Sequence, residues 1–182
     1  MNFIYTAVKF YSVFLIVALG VLILQNRLSL SLFINLELSH FATDLTFAIA
    51  ATALMVGLSL YANKNFLWAQ VLNIEFKKLF VPLKDWHIFL IAFCSGITEE
   101  TVFRGIIQPL IGIFPTSFLF GLLHFIPNKI FIPWTLYTMF GGFLFGCLFE
   151  MTGNLFPSII SHIFIYFIMI YLLNHSENSH IK

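Results

Sequence analysis

The stretch Gly96-Ile97-Thr98-Glu99-Glu100-Thr101-Val102-Phe103-Arg104-Gly105 decides how this chain is read. Three ionisable side chains stand inside an apolar run that extends over residues 86–108. The chain around it has 182 residues, of which 60% are hydrophobic, 18% aromatic and 9% charged, with a mean hydropathy of +0.96. Soluble domains carry about 25% charged residues, so too few are available here to cover a water-facing surface. Abundant apolar area and a net charge of +1 exclude a disordered chain. The absence of a basic stripe excludes a nucleic-acid binder. The composition is that of an integral membrane protein.

Working outward, six apolar segments can be traced, at about residues 10–24, 45–61, 86–108, 115–126, 133–149 and 155–173. A spanning helix needs roughly 20 apolar residues. The expected fold is therefore an all-α polytopic bundle of about six transmembrane helices, the fourth one short. The six prolines punctuate it: Pro82 precedes the third segment, Pro109 follows it, and Pro115 and Pro127 bracket the fourth. Pro133 and Pro157 open the fifth and sixth, where a missing N–H costs nothing. Lys9 leads into the first apolar run without a cleavage pattern after it, which fits a retained span rather than a signal peptide. Cys94 and Cys147 sit in apolar runs and read as small buried hydrophobes.

The connection between residues 63 and 84 is the most polar long one. Trp68, Val71, Leu72, Phe76, Leu79 and Leu83 recur in it at helical spacing, opposite Gln70, Asn73, Lys77 and Lys84, as in a helix lying in the membrane interface. With both termini cytoplasmic, Lys9, Lys64, Lys77, Lys78, Lys84, Lys129 and Lys182 lie inside and Arg27 outside, in keeping with the positive-inside rule.

Charges inside a span are costly and mark function. Glu100 and Arg104 are four apart, share a helix face and can pair. Glu99 points about 100° away and has no local cation. It is the better candidate for chemistry, while Glu100 and Arg104 read as a structural ion pair. His124 and His162 lie in the fourth and sixth segments. His40, His87, His175 and His180 fall in or near loops and read as solvated. At a rise of about 1.5 Å per residue, Glu99 and His124 are each roughly 14 Å from the same end of their helices, and His162 roughly 10 Å. The three groups can meet at one depth, nearer the outer side than the basic loops.

Two chemistries suit such a set. Glu99 and His124 can activate a water that attacks an amide carbonyl, with His162 donating to the developing oxyanion. Alternatively Glu99, His124 and His162 ligate zinc and leave a fourth position for water. No HExxH pair is present.

At these residues the chain resembles the CPBP family of intramembrane proteases, which includes type II CAAX prenyl endopeptidases and bacteriocin-processing or immunity proteins. Glu99, Glu100 and Arg104 match its EExxxR motif, Phe120 and His124 match FxxxH, and His162 matches the start of HxxxN. The last motif ends in Tyr166 instead of asparagine. The stretch 141–150, followed by Gly153-Asn154-Leu155, is similar to the one that precedes the last motif. The resemblance covers about residues 86–171.

The resemblance implies a glutamate-dependent intramembrane endopeptidase in which Glu99 and His124 activate water and His162 forms the oxyanion hole with position 166. The family has also been described as metal-dependent; the water-only reading, without a cofactor, is preferred here, with zinc as the alternative. A phenol at Tyr166 donates one hydrogen bond, as an amide does, from further out. Tyr166 substitutes as donor, His162 suffices alone, or the pocket binds a peptide or partner without turnover, as in an immunity protein. A small transporter is the weakest reading, since no inverted repeat is visible.

The expected organisation is two helices without a motif in residues 1–62, the cytoplasmic or interfacial connection in 63–85, the CPBP-like bundle in 86–173 and a polar tail in 174–182. The expected partners are the lipid bilayer and a membrane-associated peptide or protein substrate, lipidated or not. The expected setting is a bacterial cell membrane. No groove for a prenyl chain is readable in the sequence.

Overall fold

A computed structural model describes residues 2–80 and 82–176. The tail beyond Ser176, with His180 and Lys182, lies outside the described residues. Every element among the described residues is helical. Helix α1 spans Asn2–Leu24 and ends where Asn26 takes a left-handed φ of 54°, which asparagine tolerates. A short α2, Leu30–Phe33, is capped by the Ser29 hydroxyl, which accepts from the Leu32 N–H. Then come α3, Leu38–Asn65, and α4, Leu67–Phe80. Helix α5, Asp85–Glu100, passes without a break into a π-helical stretch, Thr101–Ile107, and a last α-turn α6, Gln108–Ile111. Gly112, at φ 84°, turns the chain into α7, Ile113–Leu123. Helices α8, Ile132–Thr152, and α9, Phe156–His175, complete the bundle. Gly153, at φ 71°, stops α8 in a left-handed cap.

Among the described residues, four segments are long and apolar enough to cross a membrane: Ile4–Leu24, Leu30–Asn65, Lys129–Thr152 and Phe156–His175. The run from α5 to α6 is also long, and its ionisable residues explain why it does not stand with them. Helix α7 is short, as the sequence suggested. With 11 residues it rises only about 16 Å, roughly half the hydrocarbon thickness. The protein is an integral membrane helix bundle.

Pro109 does not end the third segment, as its position had suggested; the helix continues to Ile111. Proline lacks an N–H and its ring crowds the carbonyl four residues back. Widening to π geometry, with the Gln108 N–H bonded to Phe103 O, relieves that crowding.

Polar cross-links tie the helices together where apolar burial cannot, because lipid tails are as apolar as leucine. At one end of the bundle Asn154 Nδ2 donates to Asp44 Oδ2 at 2.8 Å, both side chains being buried. At the other end Asn174 exchanges two hydrogen bonds with the backbone of Leu83. Between them, the Tyr137 hydroxyl donates to Met55 O at 3.0 Å and the Ser158 hydroxyl to Phe145 O at 2.8 Å. Ala51, Met55, Phe145, Leu148 and Ile165 form the apolar core where α3, α8 and α9 meet.

Of the apolar stripe that the helical spacing marks on α4, Leu72 and Phe76 turn inward. Ala69 and Leu72 are buried, and Phe76 packs edge-on against Phe131 and Trp134. Trp68 and Leu79 remain exposed. The two cysteines are free and half-buried rather than fully buried.

Candidate active site

The site is assembled by four elements. Helix α5 contributes Glu99 and Glu100, the π-helical stretch Arg104, the end of α7 His124, and α9 His162. Glu100 and Arg104 are fully buried, and Arg104 Nη1 donates to Glu100 Oε1 at 3.1 Å. Arg104 Nη2 donates to Gly142 O at 2.7 Å, which ties the π-helical stretch to α8. The guanidinium lies over the Phe120 ring, 4.6 Å from its centroid.

Glu100 Oε1 also faces His162 Nδ1 at 2.9 Å. A carboxylate only accepts, so Nδ1 carries the proton there. The pair read as purely structural in the sequence therefore also orients a histidine.

His124 is not inside its helix. Helix α7 stops at Leu123 and His124 is the capping residue, with φ −94° and ψ 4°. Pro127, three residues on, favours an early stop because it cannot extend a helix. His124 Nδ1 donates to Phe120 O at 2.7 Å, since a carbonyl cannot donate. This leaves Nε2 turned toward Glu99.

Glu99 differs from its neighbour in exposure and in the partners of Oε1, although the Oε2 of each is buried without a hydrogen-bond partner. Its side chain keeps 18% of its surface exposed. Oε1 accepts from the Tyr11 hydroxyl on α1 at 3.2 Å. Oε2 is buried, has no hydrogen-bond partner in the protein, and lies 3.8 Å from His124 Nε2 and 3.9 Å from His162 Nε2. Those separations are too long for direct hydrogen bonds. Glu99, His124 and His162 thus come together at one point, as their depths suggested. Tyr11 was missed. It is one of six tyrosines, in a helix with no motif, and no spacing rule marks it.

An apolar cavity of about 230 Å³ opens from the two histidines and runs between α3, α4, α8 and α9. Tyr166, Phe145, Trp134, Met55, Leu72 and Phe76 are among its walls. Tyr166 therefore shares the cavity with His162, one turn further along α9. Asn73, placed on the polar face of α4 by the sequence pattern, lines the cavity too. Among the described residues, no three His, Cys, Asp or Glu side chains are grouped so as to hold a metal ion. Glu99, His124 and His162 thus do not present a ready donor set for zinc.

A membrane-embedded bundle holding a carboxylate between two histidines defines a class of intramembrane site. Residues 82–168 match the family model of type II CAAX prenyl endopeptidases, Rce1-like. A Bacillus subtilis (strain 168) protein, described as "Uncharacterized protein YpbD", is 35% identical over 91 residues. That match covers 49% of this chain and 47% of the relative, so the chain spans about half the length of the curated relative it matches. No solved structure matches the chain.

Proposed function

We propose that the protein is an intramembrane endopeptidase that hydrolyses a peptide bond of a membrane-associated peptide or protein. The observation that carries this reading is the unpartnered, buried Oε2 of Glu99, aimed at two histidine Nε2 atoms. A water between Glu99 Oε2 and His124 Nε2 meets two acceptors. It donates both its protons to them and turns its lone pairs outward, toward a substrate carbonyl. Its oxygen bonds to the carbonyl carbon while one proton passes to Glu99. Glu99 then delivers that proton to the amide nitrogen as the C–N bond breaks, leaving a carboxylic acid and an amine.

His162 supports the oxyanion. Its Nδ1–H is committed to Glu100, so an Nε2–H for the oxyanion exists in the imidazolium form, with Glu99 and Glu100 as its counter-charges. Tyr166 shares the cavity wall with His162 and is proposed as the second donor, in place of the amide the motif otherwise supplies. The cavity's apolar walls suit an apolar segment of the substrate, and a lipid chain on the substrate is one such group.

Purified protein in detergent, assayed on a peptide library beside Glu99→Ala, tests the reading. Turnover by the wild type alone supports it, and equal turnover in both sinks it. Metal content measured with chelator sensitivity tests the water-only chemistry: stoichiometric metal lost together with activity overturns it. Tyr166 favours a second reading, a binding or immunity protein built on the same pocket. That reading fails if Glu99→Ala and His124→Ala each abolish the biological phenotype at normal expression.

A further inference from the structure

Helix α1 lies outside the segment that matches the family model, and large apolar side chains such as Phe10, Val13, Ile16 and Val17 face outward from it. One turn of α1 is nevertheless fastened to α5 beside Glu99. Thr98 Oγ1 donates to the Tyr11 carbonyl at 3.3 Å, and the Tyr11 hydroxyl donates to Glu99 Oε1 at 3.2 Å. The Tyr11 ring is in turn braced edge-on by Phe10, with centroids 5.5 Å apart.

We infer that Tyr11 is a positioning residue for Glu99, an inference that rests on Glu99 acting as the base. A glutamate side chain has several rotatable bonds. Glu100 is pinned by Arg104 and His162. Glu99 stands too far from either histidine for a direct hydrogen bond, so its carboxylate plane must be fixed from another side. The phenol holds Oε1, and Oε2 is thereby aimed at the two Nε2 atoms. The anchor comes from a helix that holds none of the motif residues, while Thr98, next to Glu99 in the chain, sets the height of α1 against α5. Tyr11 does not touch the proposed reacting atoms; it acts through Glu99.

The test uses the full chain in detergent, with Tyr11→Phe, which keeps the ring and deletes the donor. A hydrogen bond to a charged group corresponds to a loss of about 10- to 100-fold in kcat, with KM within about twofold of wild type. The Glu99 carboxylate band in the isotope-edited infrared spectrum, assigned by its disappearance in Glu99→Gln, shifts in Tyr11→Phe. Replacing Tyr11 with 3-fluorotyrosine, a stronger donor of the same shape, moves the band the opposite way. Tyr5→Phe deletes a phenol on the lipid-facing side of the same helix and leaves both readouts unchanged. Wild-type kcat in Tyr11→Phe, in a protein whose Glu99→Gln variant is inactive, overturns the inference. A wild type no more active than Glu99→Gln instead removes the peptidase reading. The band then decides the contact alone: a shift keeps the Tyr11–Glu99 pairing, and an unmoved band removes it.

Discussion

Glu99 and Glu100 are neighbours in the chain, yet they head two regions with opposite design. The Glu100 side of α5 is closed. Its carboxylate is fully buried, and its Oε1 takes both an arginine and a histidine. The Glu99 side is open. Its side chain is partly exposed, and its carboxylate is held at one oxygen by a phenol and turns the other, buried oxygen to two histidines without bonding either. His162 belongs to both sides, giving Nδ1 to the closed one and Nε2 to the open one. The difference teaches why two adjacent acids are needed. Both acids keep a buried Oε2 without a hydrogen-bond partner, so what separates them is the set of partners at Oε1 and the two histidine Nε2 atoms within 4 Å of Glu99 Oε2, where a reactant can relieve the penalty of an unsatisfied oxygen.

The largest expected effect lies on the open side. Glu99→Gln keeps the size of the side chain and removes its basicity, so kcat falls by about 10²- to 10⁴-fold. Its unfolding midpoint in detergent stays near wild type, because the ion pair on the other side is untouched. A large loss of stability without loss of rate would erase the distinction between the two sides.

Next comes the closed side. Arg104→Met leaves the Glu100 charge buried without its arginine, and breaking such a pair costs about 3–5 kcal/mol. Denaturant unfolding measures it. The double change Glu100→Leu with Arg104→Met removes both charges and recovers most of that stability. Activity stays low in the double variant, since His162 Nδ1 has lost its acceptor. Recovery of both together would mean that Glu100 serves only as a strut.

These two sides were legible in the sequence to different depths. Charges are rare in a membrane chain, so Glu99, Glu100, Arg104 and the two histidines stood out, and 3.6-residue geometry separated the acids. Their depths allowed them to meet at one level. What stayed hidden is whatever depends on register and rotation. The π-helical stretch leaves no trace in hydropathy. His124 read as inside a helix because the apolar run continues past Leu123 while the helix does not. On α4 the apolar stripe is split: Leu72 and Phe76 pack inward beside Ala69, with Phe76 on Phe131 and Trp134, while Trp68 and Leu79 stay exposed. Tyr11 needed a contact across 88 positions, which no local pattern encodes.

A smaller effect is expected one turn before Glu100, where Gly96 lets α5 approach α9. A Cβ at this position would lie 2.6 Å from Ile163 Cγ1 and 3.4 Å from the Ile163 backbone nitrogen. Gly96→Ala therefore pushes α9 outward and costs about 1–3 kcal/mol in overpacking. Because Ile163 is next to His162, the displacement also lengthens the Glu100–His162 contact. Thermal unfolding and kcat should both fall, and a variant that loses stability alone would show that the closed side tolerates a shift of α9.

The smallest effect is expected one turn before Glu99. Ser95 is buried, but its hydroxyl donates to Ala92 O within the same helix, at 3.2 Å. Ser95→Ala removes that hydroxyl and leaves Ala92 O available to the backbone ladder, so no buried group is stranded. The exchange is nearly neutral, within about 0.5 kcal/mol, in contrast to the loss of a partner from a buried pair. Two substitutions one residue apart, Ser95→Ala and Gly96→Ala, thus repeat in packing the contrast that Glu99 and Glu100 make in charge. Helix α5 has a side that tolerates change and a side that does not. A Ser95→Ala protein as unstable as Gly96→Ala would place the tight contact on both sides and leave charge pairing as the sole difference between them.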